Sequence, residues 1–320
     1  MSGEVILTSE GMPVGAMGYL KGIYISLLPI YAFYAFSAKR LLTEKDIRSW
    51  FFIFLAIVTA SYFRAEREAL QEAIMEGSMQ EEFTNNTGYT FLSLMPLLFF
   101  FREKRVFQYI ALAYIMIFIV MAMKRGAMLV GAIAMLWFFY QTLKNSPRKT
   151  RLQVISLTLI ILVAAGFYIV NMYETSEYFQ YRLEETQDGA TSNRDIIYSA
   201  LLNFFLNETS VWQFFFGSGA NYTVALTGAY AHNDWLELAI NQGCLGVLMY
   251  LFFWISLSKF LIANKQNYII YSLLGLFLIV NFIPTFFSMV YGSFSIYASL
   301  ALGFCIGGTQ FKKFNNEISK

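Results

Sequence analysis

The chain has 320 residues, of which 57% are hydrophobic, 18% aromatic and only 14% charged, a balance too apolar for a water-soluble domain of this size. A net charge of +2, with no Lys/Arg block interleaved with aromatics, excludes nucleic acid as a partner. One histidine and two cysteines outside any CxxC spacing exclude a His/Cys metal cluster and a disulfide framework. The expected class is therefore an all-α, polytopic integral membrane protein with no metal and no cofactor.

In chain order, residues 1–19 have no basic stretch followed by a short apolar core and cleavage site, so they are not a signal peptide. Apolar runs long enough, or nearly so, to cross a bilayer fall at about 20–38, 48–63, 87–101, 106–123, 127–143, 152–171, 243–258, 268–289 and 292–308. This predicts nine transmembrane helices, with the cut between the last two uncertain around Pro284. If the segment after the first helix is cytoplasmic, alternate connections hold 16 of the 23 Lys and Arg residues, and 17 of the 21 acidic residues fall on the opposite side. The long segment 172–242 and Arg125 then lie outside. The first residues do too, without an export signal, so Met1 reads as an internal or truncated start. Three regions follow: transmembrane helices over 1–171, lacking upstream helices; an outer loop over 172–242; and transmembrane helices with a cytoplasmic tail over 243–320.

Two stretches outside the spans show helical character. Residues 64–82, RAEREALQEAIMEGSMQEE, suit an acidic outer hairpin with a solvated helical arm. Residues 195–208 put Ile196, Ile197, Ala200, Leu201, Phe204 and Phe205 on one face, which fits either a helix lying on the membrane surface or one packed on the bundle.

Several residues are placed to carry chemistry. Lys124 and Arg125 form a cationic pair at a turn on the face otherwise poor in basic residues. They are either interfacial anchors or, since guanidinium holds phosphate through a planar fork, phosphate ligands. Arg194 opens the 195–208 helix behind Thr191, Ser192 and Asn193, each able to cap it. An arginine beside helix-terminal amides makes an anion site, and the alternative is a solvated cation paired with Glu184 or Asp195. Gly217-Ser218-Gly219 is either a plain turn or one whose backbone has room to approach a ligand. His232 precedes Asn233 and Asp234, either of which can cap a helix that stops at Gly243. There the helix dipole disfavours imidazolium, so a neutral imidazole is placed to take a proton from a sugar hydroxyl; an interfacial structural role is the alternative. Glu237, with Asn233 and Asn241 four residues either side, forms a polar stripe that either orients His232, contacts sugar hydroxyls or is simply solvated.

The order of these elements is more specific than any one of them. KRGAMLVG (124–131), TSNRDIIY (191–198), FGSGAN (216–221) and AHNDWLELAINQGCLG (231–246) resemble the O-antigen ligase and O-antigen polymerase superfamily, over a stretch from NNTGY at 85 to about 258. The resemblance implies a metal-independent membrane glycosyltransferase at the periplasmic face of the bacterial inner membrane. Its donor would be a glycan on undecaprenyl diphosphate. Arg125 and Arg194 match arginines that bind the diphosphate, and His232 matches the residue that activates the acceptor hydroxyl. Lys124, Gly217, Gly219, Asn233 and Glu237 are the candidate substrate contacts. The acceptor would be another lipid-linked repeat of an O-antigen or capsular polysaccharide, with a chain-length regulator as a possible partner, or else lipid A core. The family pattern has more helices and a cytoplasmic N-terminus, which agrees with missing upstream helices. A lipid-glycan flippase is the rival from another class, but charges sit at helix ends rather than mid-membrane, and no repeat relates the two halves.

Overall fold

The structure is a computed structural model and describes residues 16–75, 85–187, 194–288 and 295–318; among these, every regular element is helical. In chain order they are α1 (Ala16–Ala38), α2 (Glu44–Met75), α3 (Thr87–Leu92), a 3-10 segment (Met95–Phe101), α4 (Arg105–Met121), α5 (Arg125–Lys144), α6 (Arg148–Thr175) and α7 (Glu177–Gln187). There follow α8 (Arg194–Asn203), a π turn (Phe204–Glu208), α9 (Val211–Phe216), α10 (Tyr222–Thr227), α11 (Asp234–Ala263), α12 (Tyr268–Phe282), a second 3-10 turn (Ile283–Phe286) and α13 (Ile296–Ile318).

Among the described residues five helices are long and apolar enough to cross a membrane: Glu44–Gln71, Arg125–Lys144, Arg148–Thr175, Asp234–Ala263 and Tyr268–Phe286. Four shorter apolar helical stretches, Tyr24–Ala38, Thr87–Phe101, Arg105–Met121 and Ile296–Thr309, occupy the remaining predicted runs. The class is thus a helical membrane protein, with five of the nine predicted spans supported by length. The surface agrees with a lipid solvent. Helix α6 buries Val154 and exposes Leu152, Leu159, Ile160 and Phe167, which would be unfavourable in water but is the ordinary state of a helix facing lipid.

The chain divides into two compact units, each with its own packing. One comprises Pro29–Glu184, Asn264–Val280 and Ser295–Lys320. Its aromatic core includes Phe91 stacked on Phe118 at 4.8 Å and Tyr62 edge-on to Phe118 at 5.0 Å. The predicted continuous helix over 87–101 is broken here. Pro96 stands in the first turn of the 3-10 segment, where it can neither donate to the ladder nor leave room for the carbonyl four residues back. The steeper rise of 3-10 helix, about 2.0 Å per residue, lets this buried stretch reach further than an α-helix of equal length. Helix α2 continues past its apolar run to Met75, stiffened by an exposed Arg64–Glu68 pair at 2.7 Å. The first part of the predicted acidic hairpin is therefore a helical arm, and its tip, 76–84, lies outside the described residues.

The other unit contains Met1–Leu28, Glu185–Ala263 and Asn281–Phe294. Its core is Leu201, Phe204, Ala231 and Ile240, flanked by Ile197, Tyr198, Phe205, Tyr222 and Leu236. Of the two readings of 195–208, packing holds for Leu201 and Phe204, whereas Ile196 is 63% exposed. Regular α-helix ends at Asn203, and the next five residues form the π turn.

Candidate active site at the start of a broken helix

The sole histidine sits in a loop held from both sides. Asn233 Oδ1 accepts from the backbone N–H groups of Trp235 at 3.0 Å and Leu236 at 3.2 Å, so of the two caps the sequence offers, Asn233 and Asp234, it is Asn233 that caps α11. His232 lies just before it in the left-handed region, at φ 50°, a conformation costing of order 1–3 kcal/mol unless its surroundings enforce it.

The enforcement comes from Glu237. Its Oε1 accepts from the Ala231 N–H at 2.6 Å, and its Oε2 accepts from the Thr223 hydroxyl at 2.6 Å and the Asn241 amide at 3.0 Å. Glu237 is 1% exposed and Asn241 4%, so the stripe is not solvated. A buried carboxylate is tolerated only when donors surround it, and these donors belong to α10, to the loop before His232 and to the next turn of α11. Glu237→Ala would strand three donors and is expected to cost about 2–4 kcal/mol, read as a lower thermal-unfolding midpoint in detergent. Glu237→Gln should cost less, because one acceptor oxygen survives.

The loop is locked to α11 a second time. At Gly243 (φ 68°, ψ −170°) the helix breaks, leaving carbonyls without helical partners. The Ser218 and Gly219 N–H groups take up Ile240 O at 2.8 Å and Asn241 O at 3.2 Å. A Cβ on Gly217 would lie 2.3 Å from the Asn241 and Gln242 backbone, and one on Gly243 would lie 2.5 Å from Phe215 backbone. At Gly217 the close approach is therefore to the chain's own helix. At Gly219 the corresponding space is open.

Arg194 is the first residue of α8 and half-buried. Its Nη1 donates to Phe287 O at 2.9 Å, while Asn233 Nδ2 donates to Phe286 O at 3.0 Å. One turn thus holds Arg194 and Asn233, the neighbour of His232, which stand 39 residues apart in sequence. The predicted caps Thr191, Ser192 and Asn193 lie outside the described residues. Sequence reading did not single out this turn, and its only signal was Pro284 interrupting the last apolar runs. It offered Asp234 only as a helix cap, whereas the side chain is fully buried and accepts from the Tyr250 hydroxyl at 2.6 Å.

Arg125 and Lys124 lie in the other unit. Lys124 precedes α5 and Arg125 is its first residue, both half-buried. The turn before them, with Met123 at φ 50°, is braced by the NNTGY stretch. Asn85 donates its N–H to Ala122 O at 2.8 Å and its amide to Tyr62 O at 3.2 Å. Gly88 packs where a Cβ would be 3.1 Å from Ala122 Cβ. A guanidinium at a helix start adds its donors to free helical N–H groups, an arrangement suited to an anion. Among the described residues no group of three or more His, Cys, Asp or Glu side chains is placed to hold a metal ion.

The structure is thus that of a helical membrane protein in which a histidine, an arginine and a buried carboxylate network gather around the start of a broken helix. Residues 110–251 match the family model described as O-antigen ligase, which supports the likeness to the O-antigen ligase and polymerase superfamily. The match contains every candidate site residue predicted from sequence, and the turn at 283–287 lies beyond it. No curated protein and no solved structure matches the chain significantly. The family is one of membrane glycan-processing enzymes of the glycosyltransferase kind.

Proposed function

We propose that the chain transfers glycan from undecaprenyl diphosphate at the periplasmic face of the bacterial inner membrane, extending an O-antigen or capsular polysaccharide. His232 takes the proton of the acceptor hydroxyl. That oxygen attacks the anomeric carbon, the bond from this carbon to the diphosphate oxygen breaks, and the configuration inverts. Arg194 stabilises the negative charge gathering on the departing diphosphate. A diphosphate is already a good leaving group and guanidinium is permanently charged, so the step needs neither metal nor cofactor. The observation carrying this reading is an exposed histidine ahead of a capped helix, with an arginine oriented by the same unit, inside the family-matched segment.

Arg125 is assigned to the diphosphate, and Lys124 to the substrate, on the resemblance. Gly219 and Asn233 border open or half-exposed surface and are the substrate contacts of the loop. Gly217 and Glu237 act instead by holding it. A chain-length regulator is the protein partner this function would use.

The test is complementation of a strain lacking the gene, at matched membrane abundance, with surface glycan resolved on a gel. Wild type should restore polymer, while Arg125→Ala and Arg194→Ala should leave single lipid-linked repeats. Long undecaprenyl-linked chains that fail to reach lipid A core would instead make the protein a ligase. Translocation of glycan lipid without product in reconstituted vesicles would make it a flippase.

A further inference from the structure

We infer that the 3-10 turn Ile283–Phe286, with its C-cap Phe287, positions the reacting groups, and that the Thr285 hydroxyl sets this turn against α11; the inference rests on the transferase reading. Two consecutive carbonyls do the holding. Phe286 O accepts from Asn233 Nδ2 at 3.0 Å and Phe287 O accepts from Arg194 Nη1 at 2.9 Å. Because the other end of the Asn233 amide caps α11, both ends of that side chain are committed, and the residue after His232 is fixed.

The choice of partner for Arg194 matters chemically. A carboxylate would orient the guanidinium and also neutralise it. A carbonyl orients it through one of its five N–H donors and leaves the positive charge and the remaining donors for an anion. The turn itself is held by Thr285, which is fully buried. Its hydroxyl accepts from Trp235 Nε1 at 3.0 Å and donates to Phe282 O at 2.7 Å. The Trp235 ring stacks on Phe286 at 5.7 Å. Phe287 and Ser288 N–H both return to Pro284 O, at 3.0 and 2.7 Å, so the carbonyls of 286 and 287 are presented by a closed turn. The separation between the cation that meets the leaving group and the base that meets the acceptor is therefore governed by five residues outside the family-matched segment.

Thr285→Val removes the hydroxyl at nearly constant volume, and Thr285→Ser keeps it. His232 is the only histidine in the chain, so the ultraviolet absorbance of N-carbethoxyhistidine formed with diethyl pyrocarbonate, on protein purified through a histidine-free tag, reports on it alone and needs no activity. Thr285→Val should change that modification rate about threefold and lower kcat about 10- to 100-fold, as expected for displaced reacting groups, with Thr285→Ser close to wild type in both. In an Arg194→Ala background the loss of kcat on adding Thr285→Val should shrink, since the two act through one contact. Should Thr285→Val fail to accumulate, Trp235→Phe deletes the same hydrogen bond from the other side and should give the same result. A wild-type modification rate and turnover in the variant used, or equal damage from Val and Ser, would overturn the inference. If wild type transfers no glycan, the transferase reading fails, while the modification rate still reports whether the turn sets His232.

Discussion

Replacing His232 by alanine is expected to lower turnover by about 10²- to 10⁴-fold, the usual contribution of a positioned general base, with donor binding little changed. The residue is exposed, while the backbone on both sides of it is fastened: Ala231 N–H to Glu237, and Asn233 to both α11 and Phe286. A side chain held this way is placed to meet a substrate hydroxyl. Arg194→Lys should remain defective, because an ammonium supplies charge without the planar fork that reaches Phe287 O and a phosphate together. Steady-state transfer from a lipid-linked donor in nanodiscs checks both. A His232→Ala enzyme with wild-type turnover would show that the histidine is structural.

The helices and part of the site were legible in the sequence, for reasons that also mark where legibility stopped. Apolar runs reveal helices because bilayer thickness fixes their length, and among the described residues each of the nine runs overlaps helical structure, five of them long enough to span. The Asn233 cap and the break at Gly243 were readable because capping and positive φ are local. Glu237 was misread in one respect. Helical spacing pointed to Asn241 and permitted solvation, but the partners that bury it, Thr223 and Ala231, are 14 and 6 residues away across a loop. The clasp at Phe286 and Phe287 was out of reach altogether. Its bonds join residues 53 and 93 positions apart, and carbonyl acceptors carry no side-chain signature. Pro96 and Pro284 were visible, yet a proline shows only that α-helix is interrupted, not that a 3-10 segment follows or what its carbonyls will hold.

The largest structural effect is expected at the paired glycines. Gly217 (φ 80°, ψ 173°) and Gly243 (φ 68°, ψ −170°) both occupy a region of backbone space essentially closed to side chains. Each would also drive a Cβ to within 2.3–2.5 Å of the other segment's backbone, which has no rotamer to move aside. Gly217→Ala and Gly243→Ala should each cost more than about 4 kcal/mol and sharply reduce folded protein in the membrane, measured by fluorescence-detected size exclusion in mild detergent. Gly219→Ala is the control, since its φ of 111° is strained but its Cβ would meet open space; its cost should be about 1–3 kcal/mol. Equal abundance of Gly217→Ala and wild type would mean that the two backbones are not interlocked. The interlock also connects stability to chemistry. Ser218 and Gly219 satisfy the carbonyls of Ile240 and Asn241, Asn241 supports Glu237, and Glu237 fixes the residue before His232. A partly folded glycine variant recovered at low temperature should therefore lose more turnover than folded protein, because the loop carrying the base loosens before the helices do.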